Sequence, residues 1–312
     1  MSKIGAVIVT YNRLEKLKKA LMLFEEQTTS LDLMVIVDNC STDGTREFLL
    51  EWVKEKSIFK REIVFSEENI GGSGGFYLGL SKAQILGMDW IWVSDDDAFP
   101  DKDALYYARE YLTSHKKAIM DCSAICGAVI NNEKIDLAHR RNIQWTGTKV
   151  IDQIIEESEY QKEDFTINAF SYVGTIINVK KLLEVGLPVK DYFIYYDDTE
   201  HSLRLSEKGK IVVVPKIKVH HDVLGEKIKY SWKTYYGIRN ELNMIYRRFR
   251  KKAYQNKLRE HRNKIIRYKI KKYLGLASED NKIYLGIVTD AVNDAVNNKL
   301  GLHPKYRPGW NP

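Results

Sequence analysis

An apolar run, Trp90-Ile91-Trp92-Val93-Ser94, ends in three consecutive carboxylates, Asp95-Asp96-Asp97. Adjacent acids repel one another, so a fold gains nothing from them unless a cation sits beside them. Hard divalent cations such as Mg²⁺ and Mn²⁺ take oxygen ligands and are commonly shared between one or two carboxylates and a substrate phosphate. Alternate side chains of an extended chain point the same way, so Asp95 and Asp97 are expected to face one ion and Asp96 to face elsewhere. The plain alternative is a solvated acidic turn that caps the next helix.

Five further groups could carry chemistry. Asp197-Asp198-Thr199-Glu200 is a second acidic cluster; adjacent carboxylates perturb one another, and a partly buried one can serve as a general base. Capping of a helix by Asp197 is compatible with catalysis by Asp198. His220-His221-Asp222 follows a strand pattern, where at most one imidazole can reach a metal or a phosphate because neighbours on a strand face opposite ways. Asn69-Ile70-Gly71-Gly72-Ser73-Gly74-Gly75 opens a helix, and its glycines let backbone N–H groups approach an anion at the helix N-terminus. It is neither a Walker A motif nor a dinucleotide fingerprint. Tyr235-Tyr236-Gly237-Ile238-Arg239-Asn240 sets an arginine early in a helix, and an arginine fork suits phosphate; an aromatic stripe docking the helix is the alternative. Asp38 could accept from a base or a ribose, or simply cap a helix with Ser41 and Asp43.

Strands alternating with helices must position these groups. Residues 4–9 and 33–37 read as buried strands, 62–66 and 90–94 as two more, with helices over 13–27, about 45–56 and 73–87. That order predicts a parallel sheet with helices on both faces, which binds ligands at the carboxyl ends of its strands. Thr10-Tyr11-Asn12-Arg13, Asp38-Asn39, Asn69 to Gly75 and Asp95 to Asp97 all fall there. Further on, strands are expected at 124–130, 172–177, 211–214 and 217–220, the last two separated by Pro215. A hairpin is expected at 134–145, an aromatic extended run over Tyr192–Tyr196, helices at 179–185 and 200–208, helix from Tyr230, an amphipathic helix at 281–300 and an irregular tail at 303–312.

The ordered set Thr10-Tyr11-Asn12-Arg13, Asp38-Asn39-x-Ser41-x-Asp43-Gly44-Thr45, Asn69-x-Gly71-Gly72, Asp95-Asp96-Asp97, Asp197-Asp198-x-Glu200 and a late histidine resembles the family 2 inverting glycosyltransferases. The resemblance covers about residues 3–245 and is nearest to the galactofuranosyltransferase and bacterial rhamnosyltransferase branch. It implies the α/β GT-A fold, a Rossmann-like, mostly parallel sheet with helices on both faces, here with a helical, basic C-terminal extension. The expected division is a catalytic domain at 1–229, its nucleotide-sugar half about 1–100 and its acceptor half about 101–229, then a helical region at 230–312.

The resemblance also implies roles. Asp95, Asp97 and His221 would hold Mn²⁺ or Mg²⁺, with His220 as the fallback. Thr10, Tyr11, Asn12, Arg13, Asp38, Asn69, Gly71, Gly72 and Asp96 would bind the donor nucleotide, and Asp198 would be the catalytic base. Trp92, Tyr196, Asp197, Glu200, Tyr236, Arg239 and Asn240 would lie near the sugar or the acceptor. The donor implied is UDP-galactofuranose, with dTDP-rhamnose as the alternative, and the acceptor a glycan or a polyprenyl-diphosphate-linked glycan of the cell surface. Tyr196 stands where galactofuranosyltransferases carry Trp. A nucleotide-sugar-binding subunit without transfer activity is the rival class, and Asp198 argues against it because a pure binder has no use for a base.

The chain has 312 residues, enough for one or two domains at about 150 residues each. No apolar run approaches the roughly 20 residues of a membrane span, and the start reads as a strand rather than a signal peptide. Cys40, Cys122 and Cys126 are an odd set without C-x-x-C spacing, against a disulfide framework or a zinc site. A cytoplasmic protein is therefore expected, peripheral at the inner face of the cell membrane. Between Arg247 and Lys272 lie thirteen Lys/Arg and one acid, Glu260, leaving 36 basic and 41 acidic residues elsewhere. Phe249, Tyr254, Tyr268 and Tyr273 punctuate this basic section. Clustered cations with aromatics suit an anionic membrane surface; a solvated face or an oligomer contact is the alternative. Nucleic acid is disfavoured because no recognition motif accompanies the charge.

Overall fold

The computed structural model describes residues 2–222 and 230–310. Its first part alternates strictly: β1 (Ile4–Thr10), α1 (Leu14–Glu25), β2 (Leu33–Asp38), α2 (Thr45–Trp52), β3 (Lys60–Phe65), α3 (Gly71–Ile85) and β4 (Trp90–Asp95). β1 and β2 are buried along their whole length, which is why they read as continuous apolar runs rather than alternating ones. The period of two survives underneath. Ile4, Ala6, Ile8, Met34, Ile36, Trp90 and Trp92 meet α1 and α2 on one face, and Val7, Val9, Val35, Val37, Ile91 and Val93 meet α3 on the other.

The middle is built from β5 (Ala98–Pro100), α4 (Ala104–Ser114), α5 (Lys116–Ile119), β6 (Cys122–Asn131), β7 (Lys134–Ile135), β8 (Arg140–Trp145), β9 (Val150–Ile154), β10 (Phe165–Ile167), β11 (Ala169–Phe170), β12 (Thr175–Asn178), α6 (Val179–Val185), α7 (Asp197–Ser206) and β13 (Lys210–His221). The large sheet runs β10-β13-β6-β12-β4-β1-β2-β3, with β5 on β13 and β7 on β6. Six of its ten strands point one way; β12 is inserted antiparallel between β4 and β6. β11, β8 and β9 form a separate small sheet.

Three local expectations are corrected. Residues 134–145 are not one hairpin: β7 folds back on β6, and β8 pairs with β9 instead. Pro215 does not divide two strands. β13 runs through it, and a register shift between Val213 and Lys218 absorbs the missing donor. Tyr192–Tyr196 is not extended: a short 3₁₀ turn at Lys190–Tyr192 leads into left-handed backbone at Phe193, Tyr195 and Tyr196, with φ of 68°, 67° and 67°. Such backbone costs a bulky residue about 1–3 kcal/mol each and persists only where the surroundings impose it.

Three helices follow: α8 (Trp232–Arg248), α9 (Lys251–Tyr273) and α10 (Glu279–Val296). α8 starts at a capping box formed by Ser231 and Thr234. Tyr235, Tyr236 and Leu242 of α8, Ile287, Val288, Ala291 and Val292 of α10, and Tyr306 of the tail make a third core, which Phe193 joins. The boundary expected at residue 229 falls at 223–229, outside the described residues. Among the described residues no helix is long and apolar enough to cross a membrane.

Candidate active site at the strand ends

Sheet register brings the polar strand ends level. Thr10 pairs with Asp38 across β1 and β2, and Val9 pairs with Asp95 across β1 and β4. β4 stops at Asp95, so Asp96 and Asp97 lie in a turn rather than in extended chain. The turn, not strand alternation, brings Asp97 beside Asp95. Asp95, Asp97 and His221 each offer a ligand atom, and those atoms lie within 4.8 Å of one another. Asp96 stands outside this group, accepting from Thr10 Oγ1 at 2.8 Å and from Arg13 Nη1 at 3.1 Å, and the same Nη1 donates to Asp97 Oδ2 at 2.6 Å.

His221 arrives from the far end of the chain because the last turn of β13 pairs with β5 just after the acidic turn. Its Nε2 lies 3.4 Å from Asp97 Oδ1, its Nδ1 is buried without a partner among the described residues, and His139 stands edge-on at 5.1 Å. His220 faces away and bonds Asp101 at 2.8 Å. Burial, then the charge of Asp97, pushes the Asp95 carboxyl up to about 7. Burial, opposed by Arg13, raises Asp96 to about 6. For Asp97 burial is outweighed by His221 and Arg13, and its pKa is lowered; for His221 burial is outweighed by Asp97 and Asp95, and its pKa is raised. Two carboxylates and one imidazole are a donor set that fits Mn²⁺ or Mg²⁺.

Beside the acids is a cleft of about 220 Å³ whose wall includes Thr10, Tyr11, Arg13, Asn69, Gly71, Gly72, Asp95 and Asp96. The glycines are there for space. Gly71 has φ +74°, and a Cβ on it would lie 2.0 Å from the Phe193 carbonyl oxygen, whereas one on Gly72 would meet nothing within 4 Å. Ile70 does not cap α3; instead Asn69 Oδ1 accepts from Gly71 N at 2.9 Å and the Phe193 carbonyl accepts from Ser73 N at 3.2 Å, which leaves Gly72 as the first-turn backbone that faces the cleft. Asn39 braces the turn, accepting from Ile70 N and donating to Asn69 Oδ1. Asn12 and Asp38 do not line this wall. Asn12 Oδ1 accepts from Thr42 N. Asp38 is fully buried and accepts from Ser41 N through Oδ1, and its Oδ2 has no partner among the described residues.

α7 begins at Asp197. Asp197 is buried, and burial, then the charges of Asp198 and Asp95, raises its pKa. Asp198 is half-buried. Its Oδ1 accepts from Thr199 N at 2.5 Å and Thr199 Oγ1 at 3.0 Å, and Arg141 Nη2 donates to the same Thr199 hydroxyl at 2.8 Å. Burial raises the Asp198 pKa in spite of Arg141.

Six residues expected near the sugar or acceptor lie outside the wall of this cleft. Trp92 belongs to the core, edge-on to Phe24 at 5.7 Å, because even-numbered residues of β4 face α1. Glu200 is buried between Arg204 at 2.9 Å and Arg248 at 3.3 Å. Tyr236, Arg239 and Asn240 are buried, and their polar atoms bond protein backbone or, between Arg239 and Asn240, each other. Tyr196 packs half-buried against the Ile143 cluster, outside the cleft wall. Phe193, Ile194, Trp232, Lys233 and Pro308 also line that wall and were not singled out from sequence. The available signal was the Ser231-x-x-Thr234 capping box, which puts Trp232 and Lys233 on a first helical turn.

Comparison with known proteins gives a consistent picture. The family model "Glycosyl transferase family 2" matches residues 6–182. Galactofuranosyltransferase GlfT1 of Mycobacterium tuberculosis (strain ATCC 25618 / H37Rv) is 26% identical over 204 residues, 65% of this chain and 64% of that protein. The match therefore spans less than two thirds of that relative's length. dTDP-rhamnosyl transferase RfbF of Shigella flexneri is 25% identical over 255 residues, 78% of this chain and 80% of that one. Among solved structures, GalNAc-T7 with UDP, GalNAc and Mn²⁺ is similar with a TM-score of 0.61 at 17% identity, over 79% of this chain and 48% of that one. Mannosyltransferase PcManGT from Pyrobaculum calidifontis with GDP-Man and Mn²⁺ gives 0.56 at 15% identity, over 95% and 86%. At these identities the structural likeness establishes the fold.

Proposed function

The chain belongs to glycosyl transferase family 2, and from that premise we propose that it is an inverting, metal-dependent glycosyltransferase. Its donor is a nucleotide-sugar, with UDP-galactofuranose first. Its acceptor is a glycan or a polyprenyl-diphosphate-linked glycan of the cell surface. The observation that carries this reading is the convergence of Asp95, Asp97 and His221 on one point beside a cleft walled by the glycine-rich start of α3.

In this mechanism the nucleotide lies in the cleft, with Tyr11 and Thr10 against it. The unpartnered Oδ2 of Asp38, next to Thr10 in the sheet, supports assigning that acid to the base or ribose. Arg13 meets the phosphates on the side of the cleft that Gly72 lines. Asp95, Asp97 and His221 would hold Mn²⁺ or Mg²⁺, which supplies positive charge for the departing nucleoside diphosphate. Thr199 engages Asp198 Oδ1, so Oδ2 takes the proton as the acceptor hydroxyl attacks the anomeric carbon from the opposite face. One displacement inverts configuration and needs no covalent enzyme intermediate.

A dTDP-rhamnose donor is the second reading, favoured by the longer match to RfbF. The basic, aromatic-flanked α9 supports work at an anionic membrane surface, since each Lys or Arg near an anionic leaflet contributes about 1 kcal/mol. The test is nucleoside diphosphate release in Mn²⁺ from UDP-galactofuranose, dTDP-rhamnose, UDP-galactose and UDP-glucose, each with and without a glycan acceptor. Selective release from UDP-galactofuranose, abolished by chelator, supports the reading. Release from dTDP-rhamnose alone transfers it to the second donor. Release from none, together with no calorimetric binding of UDP or dTDP, overturns it.

A further inference from the structure

The left-handed stretch at Phe193, Tyr195 and Tyr196 joins two parts of the site: Phe193 and Ile194 wall the cleft, and Asp197 and Asp198 begin the helix that follows. Three aromatic residues do not take positive φ unaided. What imposes it is on α8. Asn240 Nδ2 donates to the carbonyls of Tyr192 at 3.0 Å, Ile194 at 2.9 Å and Tyr195 at 2.9 Å. Arg239 Nε donates to Asn240 Oδ1 at 2.9 Å, which fixes the amide with its nitrogen toward the loop. Arg239 Nη2 reaches the Tyr192 carbonyl at 3.0 Å and the Asp191 carbonyl at 3.3 Å, and Nη1 reaches Gly301 O at 2.7 Å. On the opposite side the loop abuts α3, where Ser73 N donates to Phe193 O at 3.2 Å.

We propose that Arg239 and Asn240 are positioning residues for the transfer reaction. Acting through the carbonyls of residues 191–195, they hold the Phe193–Ile194 wall against the glycine-rich turn and aim the two carboxylates that follow. Neither side chain touches substrate. The part of this inference that concerns turnover rests on the function proposed above; the part that concerns the loop does not.

Hydrogen exchange on the full chain, paired with nucleoside diphosphate release from the donor that serves the wild type, tests both parts. In Asn240→Ala, exchange at amides 192–200 is expected to rise at least tenfold while 4–38 stays at the wild-type rate, and turnover to fall at least 100-fold. Arg239→Lys, which keeps one charged donor, gives an intermediate loss in both readouts and carries the test if Asn240→Ala does not fold. Tyr235→Phe, on α8, loses its bond to Asp294 of α10 and serves as the stability control, with loop exchange and turnover unchanged. Wild-type protection at 192–200 in both the Asn240 and Arg239 variants overturns the proposal, as does a loss of turnover that Tyr235→Phe shares. A wild type that releases nucleotide from no donor counts against the proposed function instead, and exchange alone then decides whether α8 holds the loop.

Discussion

Asp97 Oδ1 and His221 Nε2 lie 3.4 Å apart, joining the turn after β4 to the last residue of β13. Each holds the other in its charged form, an arrangement a divalent cation would replace by ligating both. His221→Ala should therefore weaken Mn²⁺ binding about 10–100-fold, the range for losing a group that supports a metal site, as read by calorimetry on the full chain. His220→Ala should leave it unchanged, because His220 is turned to Asp101. The opposite order would remove His221 from the site.

Asp198→Asn keeps the Thr199 contacts through its side-chain carbonyl and loses the basic oxygen. Turnover should fall by about 10²–10⁴-fold, the contribution of a general base, while UDP affinity stays within about twofold. Equal losses in turnover and UDP affinity would mean that Asp198 belongs to the binding site instead.

Gly71 and Gly72 are adjacent and should behave differently. A Cβ on Gly71 meets the Phe193 carbonyl at 2.0 Å with φ at +74°, so Gly71→Ala should destabilise the chain by about 2–4 kcal/mol in urea unfolding. Gly72→Ala has room and should cost under about 1 kcal/mol, the helix preference for Ala over Gly being in its favour. Its effect should appear in UDP affinity, because Gly72 lines the cleft. Equal stability losses would refute the close approach at Gly71.

What could be read from the chain was what local pattern controls. The run Ile4–Val9 and the spacing of Leu17, Leu21 and Phe24 define β1 and α1, and sheet register then brings Thr10, Asp38 and Asp95 together without further information. The misread residues depend on distant partners. Arg239 has the side chain of a phosphate fork, but a cradle of backbone carbonyls satisfies the same donors, and that cradle comes from the loop near Tyr192 and from Gly301. The aromatic run at 192–196 has strand-like composition, yet Asn240 on α8 accounts for its turns. Trp92 shares an apolar strand with residues of both faces, and composition does not say which face meets the cleft.

Glu241 on α8 ties that helix to α9, with Lys257 Nζ at 2.9 Å and His261 Nε2 at 3.5 Å. Burial would raise its pKa, but His261 and Lys257 outweigh burial and lower it below the ordinary 4.5. A lowered carboxylate contributes stability that is fully present above its unfolded pKa and is lost as pH falls through the folded one. Urea unfolding should show the wild type more stable than Glu241→Gln by about 1–3 kcal/mol at pH 6, with the difference shrinking as acid carries the pH through the lowered pKa of Glu241. A difference that does not shrink on acidification would mean that packing, not charge, holds the two helices.

Lys233 stands on the first turn of α8 and shares the cleft wall with Arg13 and Gly72. Burial, then the nearby Arg13, lowers its pKa, and Asp97 and Asp95 act against that lowering. Its ammonium therefore lies in the field of the acidic cluster, where a cation and a diphosphate would meet. An incoming diphosphate supplies the counter-charge that burial denies it, and a charge-assisted contact of this kind is worth more than a neutral one. Lys233→Met should weaken UDP binding about tenfold, or about 1.4 kcal/mol, and leave uridine binding unchanged, both by calorimetry at one Mn²⁺ concentration. If uridine affinity falls as far as UDP affinity, Lys233 shapes the cleft rather than meeting phosphate. If neither changes, the first turn of α8 takes no part in holding the donor.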